Sequence, residues 1–225
     1  IKLQTRRTGA ITPVAVLEPI NVGGATVSSA TLHNPDEIRR KDLRINDYVI
    51  VRRAGDVIPE VVSSIKERRD GTEKIWNLPT SCPCGDSTIE FNEEEKVPRC
   101  KEKLSCNLAK KEALIFFGSK SGLEIEGLGR ETIDILLTEG LIKDISDIYN
   151  LKYNDLIKLP QWEEKKTNNL LSAIASSINA PQDKLLTALG IRFVGKRTAQ
   201  LLIQNFNSID CLLYTSDAAD DGYRG

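Results

Sequence analysis

The sequence predicts a multidomain chain, β-structure first and helices after, joined through a small four-cysteine finger. Three observations predict this. Short apolar runs broken by turn residues extend to about Pro79, two close cysteine pairs follow, and a helical period takes over beyond them. The 40% hydrophobic content supports packed cores, and no apolar run is long enough to span a membrane. A formal charge of −1 argues against a uniformly basic protein. It leaves room for local basic surfaces at Arg6–Arg7, Arg39–Lys41, Arg52–Arg53 and Arg68–Arg69, each of which taken alone reads as a solvated element end. The chain has no methionine and begins at Ile1, which we read as a segment of a longer protein.

In the first part, Ala10–Val16 is an apolar run with Pro13 inside, which suits an edge or bulged strand. Gly23–Gly24 marks a turn, and Ala25–Leu32 forms the next strand. Asn34–Pro35–Asp36–Glu37 opens a short helix, with Asn as cap, Pro in the first turn and acids at its positive end. Tyr48–Arg53 and Asp56–Ile65 flank an Ala54–Gly55 turn as a hairpin. Several short strands with one small helix suit a compact barrel such as an OB-fold, although sandwiches leave similar traces.

Cys82, Cys84, Cys100 and Cys106 stand as CPCG and CKEKLSC around a polar stretch. Four thiolates so spaced suit one tetrahedral Zn²⁺, which a loop too small for its own core needs. The site is structural, since four thiolates leave no open position for water. The first pair, Cys-x-Cys, is tighter than the usual knuckle, so unmetallated or degenerate cysteines are the alternative. Disulfides are the weaker reading, because no secretory leader is seen and the expected compartment is reducing.

Beyond the cysteines, three segments repeat one design: a short hairpin, Gly-containing in the first and third, between two helices. They are Leu123–Gly129 before Arg130–Leu137, Leu156–Glu163 before Glu164–Ile174, and Leu185–Gly195 before Lys196–Ile203. This is the helix-hairpin-helix pattern. Glycine lets the hairpin backbone approach closely, and free N–H groups at the next helix N-terminus bind a phosphate oxygen. Gly127, Gly129 and Gly195 are the candidate contacts, with Lys196 and Arg197 adding charge. Such chemistry grips a nucleic-acid backbone without reading bases. The copies are unequal: Gln161 and Glu163 replace both glycines in the second, and Phe193 replaces the first glycine in the third. The second copy is therefore expected to serve mainly packing. Cys211–Asp220 reads CLLYTSDAAD, with no helical continuation of the preceding pattern. It resembles translated sequencing-adapter sequence, and no function is placed there.

TGAITPVAVLEP (Thr8–Pro19), SSATLHN (Ser28–Asn34) and RRAGDVIPEVV (Arg52–Val62) closely resemble the OB-fold domain of bacterial NAD⁺-dependent DNA ligases. The order of OB-fold, zinc finger and hairpin array is also that family's, and ALGIRFVG (Ala188–Gly195) resembles its third hairpin. The resemblance covers residues 1–210. Arg6 stands where the family's GRTG string has glycine, and the first cysteine pair is one residue short.

The resemblance implies an OB-fold over 1–79, a zinc finger over 80–107, a helix-hairpin-helix domain over 108–210 and a non-native tail over 211–225. It implies an enzyme that seals 5′-phosphate/3′-hydroxyl nicks in replication and repair, using NAD⁺ and Mg²⁺. The adenylation domain with its KxDG lysine is expected upstream of Ile1, so no catalytic residue is placed here and the segment alone is expected to be inactive. Its share of the work would be clamping nicked duplex without sequence preference, as a monomer in the bacterial cytoplasm at the nucleoid. Arg7, Thr8 and Arg53 are the expected phosphate contacts of the barrel. His33 reads as a hydrogen-bonded corner residue and Asp56 as a turn residue. The alternative is a non-enzymatic zinc and helix-hairpin-helix module of a repair protein.

Overall fold

The computed structural model describes residues 1–55, 58–92, 96–102 and 105–221. Asp56 lies outside the described residues. Two compact units result, Ile1–Ala109 and Lys110 onward.

The first unit carries β1 (Lys2–Thr5), β2 (Ile11–Val22), β3 (Ala25–Thr31), α1 (Pro35–Arg40), β4 (Arg44–Ile45), β5 (Val49–Ala54), β6 (Ile58–Ser64), β7 (Lys74–Ile75), β8 (Ile89–Asn92) and β9 (Val97–Cys100). Five strands form one sheet in the order β1-β2-β3-β6-β5, antiparallel except where β3 meets β6. Along β2 the residues Ile11, Pro13 and Ala15 are buried and alternate with more exposed neighbours, the two-residue period of a half-covered strand. Pro13 does not mark an edge, since β2 lies between β1 and β3. The β2–β3 ladder begins one residue later, at Val14 opposite Thr31, and Pro13 contributes its carbonyl to the Leu32 N–H at 3.1 Å. The bulge falls further along, between Val16 and Ile20.

Helix α1 forms as its sequence dictates. The Asn34 side chain accepts from the Glu37 N–H at 2.8 Å, Pro35 opens the first turn, and acids precede bases along the axis. Its Ile38 is 2% exposed and packs with Ala15, Ala30, Leu32, Leu43 and Val61 under the sheet. Burying one such side chain contributes about 1.5–3 kcal/mol.

Arg69 then pins the loop after α1. Its guanidinium donates to Asp47 at 2.8 and 2.9 Å and to the Asp42 carboxylate at 2.8 Å, and the Asp47 side chain is fully covered. The hydrogen bond from Arg69 holds the Asp42 carboxyl down at about 2. At Asp47 burial acts upward, but the bonds from Arg69 and the Arg44 N–H outweigh it and the pKa is lowered. Depressed carboxyls stabilise the fold above their unfolded pKa and lose that contribution as pH falls through the folded value. Thermal melts should therefore weaken from about pH 4 downward, and Arg69→Met should melt lower at neutral pH with a flatter acid limb. Equal acid sensitivity in parent and variant would contradict this account of the loop.

The second unit is helical. From α2 (Asn107–Gly118) the chain runs on through α3 (Arg130–Thr138), α4 (Tyr153–Leu156), α5 (Glu164–Ser177), α6 (Gln182–Ala188), α7 (Lys196–Phe206) and α8 (Ile209–Asp221). Phe117, Leu128, Ile133, Leu136, Leu156 and Leu170 belong to its core. The segment 211–220 corrects the sequence expectation: it is not an irregular tail but the body of α8. Among the described residues no helix is long and apolar enough to cross a membrane.

Candidate nucleic-acid interface and metal centre

The four cysteines converge. A turn at Cys82–Gly85, closed by the Gly85 N–H on the Cys82 carbonyl at 3.0 Å, brings Cys82 and Cys84 together, with Gly85 at φ +86°. The β8–β9 hairpin supplies Cys100, and Cys106 immediately precedes α2, whose Ala109 N–H bonds back toward its sulfur. All four Sγ atoms lie within 4.8 Å of one another. A tetrahedral ion about 2.3 Å from each sulfur sets them about 3.8 Å apart, so the group can hold a metal ion with little adjustment. Burial pushes the Cys82 and Cys106 thiols up. At Cys84 burial also acts upward, but hydrogen bonds from Cys82 and from the Asp86 backbone outweigh it and hold that thiol low. Cys100 is 0% exposed, and Ile11 and Ala109 pack around the group. The Cys-x-Cys pair is thus compatible with convergence.

The finger also braces the turn that carries Arg7 and Thr8. The Cys100 N–H donates to the Gly9 carbonyl at 2.9 Å, and Arg99 donates to the Thr8 carbonyl at 3.2 Å. Within the turn the Gly9 N–H closes on Arg6 at 2.9 Å, leaving the Arg7 side chain exposed. Arg53 lies elsewhere. Its guanidinium donates to the Gly23 carbonyl at 3.1 Å, bracing the β2–β3 turn. Arg7 and Thr8 on one side, and Arg53 on the other, thus mark opposite ends of β2 rather than one cluster. His33 turns the corner between β3 and α1 at φ 59°, with Nε2 3.5 Å from the Glu60 carboxylate.

In the second unit the three hairpins share one backbone. The Leu128 N–H bonds Ile125 at 3.1 Å, Trp162 bonds Leu159 at 3.2 Å, and Val194 bonds Ile191 at 3.0 Å. The residue at the tip has positive φ each time: Gly127 at 83°, Gln161 at 62° and Phe193 at 66°. Two residues on, Gly129, Glu163 and Gly195 are extended N-caps of α3, α5 and α7, and none has a side-chain cap bond. The second hairpin therefore keeps the geometry although its residues lost the glycine signal. The sequence placed this hairpin in phase and expected it to serve mainly packing; what it did not show is that Gln161 adopts the left-handed tip, a backbone that composition assigns to Gly or Asn.

The glycines differ in why they are there. Gly127 needs its φ, and a side chain would lie 3.6 Å from Leu170. Gly129 and Gly195 have φ of −85° and −91°, and an added Cβ would meet nothing within 4 Å. Neither conformation nor packing requires glycine at these two caps. What the bare surface leaves accessible is the first-turn N–H groups, which carry the positive end of the helix dipole. Lys196 and Arg197 flank the third cap, both exposed. At the first, Arg130 is held by Glu112 at 2.7 and 3.1 Å. Beside the second, Lys166 stands 4.6 Å over the ring of the buried Trp162.

Comparison with known proteins agrees with this geometry. Residues 1–73 match the NAD-dependent DNA ligase OB-fold domain, and residues 184–219 match a helix-hairpin-helix motif. A DNA ligase from Halothermothrix orenii is 47% identical over 216 residues, which is 96% of this chain and 32% of that ligase. The chain thus spans about a third of the length of the relative it matches.

Proposed function

We propose that this chain, which belongs to the DNA ligase family and carries the OB-fold domain of its NAD-dependent class, is the portion that clamps nicked duplex DNA for sealing. The observation that carries this reading is the pair of bare caps at Gly129 and Gly195. Each presents uncapped helix N–H groups where no side chain is excluded by the fold itself, an arrangement suited to a phosphate oxygen. Lys196 and Arg197 add charge at the third hairpin. Arg7, Thr8 and Arg53 are the proposed backbone contacts of the OB-fold, with Arg7 the most exposed.

The four-cysteine group would hold zinc as a structural ion, fixing the Arg7–Thr8 turn through β9. NAD⁺ and Mg²⁺ would serve the adenylyl-transfer and sealing steps, and no residue of this chain is assigned to those steps. The proposed setting is the bacterial cytoplasm, on replicating or repaired DNA. The ligase-specific OB-fold match favours this over a non-enzymatic repair module.

The chain should bind duplexes of unrelated sequence with equal, modest affinity. In a salt titration log K should fall linearly with log[salt], each neutralised phosphate contributing about −0.9 to the slope. Fluorescence anisotropy at several salt concentrations measures both. Affinity insensitive to salt, or a strong preference for one sequence, would contradict a backbone grip.

A further inference from the structure

Phe193 has no role in the fold that accounts for its position. It is 82% exposed, and it occupies the left-handed tip of the third hairpin, where a bulky residue is strained and where the first hairpin has Gly127. Its ring carries the Arg192 guanidinium 4.5 Å from the centroid. Lys196 and Arg197 follow at the start of α7. A rigid aromatic face within a cationic surface suits a polyanion that also offers flat apolar rings, which is the chemistry of a nucleotide chain.

We propose that Phe193 is a DNA contact, packing against the deoxyribose and base edge beside the phosphate held at Gly195. This rests on the backbone grip proposed above and adds a second kind of contact to it. Only Val194 separates Phe193 from Gly195, so their Cα atoms are at most about 7 Å apart, and the ring lies within one nucleotide of that phosphate. The three hairpins then differ in what they offer DNA: bare backbone at the first, polar side chains at the second, and an exposed aromatic face at the third.

The test compares the full chain with Phe193→Gly and Gly195→Val, binding a nicked duplex at fixed and at varied salt. Phe193→Gly should melt at the same or a higher temperature, since glycine relieves the left-handed strain. It should nonetheless bind about tenfold more weakly, with an unchanged salt slope because no phosphate contact is lost. Gly195→Val should weaken binding and flatten the slope. Parental affinity in Phe193→Gly alongside a weakened Gly195→Val would overturn the aromatic contact alone. Parental affinity in both would overturn the backbone grip beneath it. A lowered melting temperature in Phe193→Gly would make the ring a packing residue. Self-association of the parent, abolished in Phe193→Gly, would make it a protein contact. Either outcome overturns the proposal.

Discussion

Cys100→Ser is expected to lose the metal that the four-sulfur group is proposed to hold, and to disorder more than the finger. Structural zinc contributes on the order of 10–16 kcal/mol to small four-ligand peptides, so a lost ligand outweighs any single packing change in this chain. Cys100 is also where the finger joins the sheet: its N–H holds Gly9, while its neighbour Arg99 holds Thr8. The variant should contain well under one zinc per chain by mass spectrometry of metals. It should become protease-sensitive between β7 and α2 and within the Arg6–Gly9 turn. Cys211→Ser should change neither, because Cys211 is exposed and outside the sulfur group. Full zinc retention in Cys100→Ser would mean that the four-sulfur assignment is wrong.

Features set by neighbours in the chain were legible in the sequence. The Asn34 cap, the Gly23–Gly24 turn and the phase of the hairpins before α3, α5 and α7 all follow from local chemistry. The cysteine spacing announced a four-sulfur group able to hold a metal, because ligand type and separation carry that signal directly. Long-range arrangements were not legible. Arg69 reaches Asp42 across 27 positions and Asp47 across 22, and nothing near Arg69 announces either partner. Strand β1 and the β8–β9 hairpin were not anticipated, since their short polar sequences acquire order only from strands they pair with. The edge reading of Pro13 failed for the same reason. Helix α8 forms across a stretch whose polar composition suggested no helix. The site was half legible. Glycines pointed to the first and third hairpins, but only the backbone shows that Gln161 and Phe193 hold the same tip conformation as Gly127.

The second large effect concerns DNA binding and follows from the open space at the two bare caps. Because an added Cβ meets nothing within 4 Å at Gly129 or Gly195, valine there should keep the fold, at a cost of about 1 kcal/mol for the poorer helix N-cap. It would instead obstruct whatever approaches the helix N–H groups from outside. A hydrogen bond to a charged phosphate contributes about 1.5–3 kcal/mol, so each substitution should weaken DNA binding by about tenfold or more. The double variant should lose about a hundredfold, since the two caps sit on separate hairpins and additive behaviour is expected. Glu163→Val supplies the control, because that cap already carries a side chain and has no bare surface to lose.

The decisive measurement is a gel-shift titration of nicked duplex, at one fixed salt concentration, with Gly129→Val, Gly195→Val and Glu163→Val beside the parent chain. The account predicts that both glycine variants bind more weakly than Glu163→Val, with circular dichroism spectra matching the parent. Parental binding by the glycine variants, or the greatest loss in Glu163→Val, would contradict it.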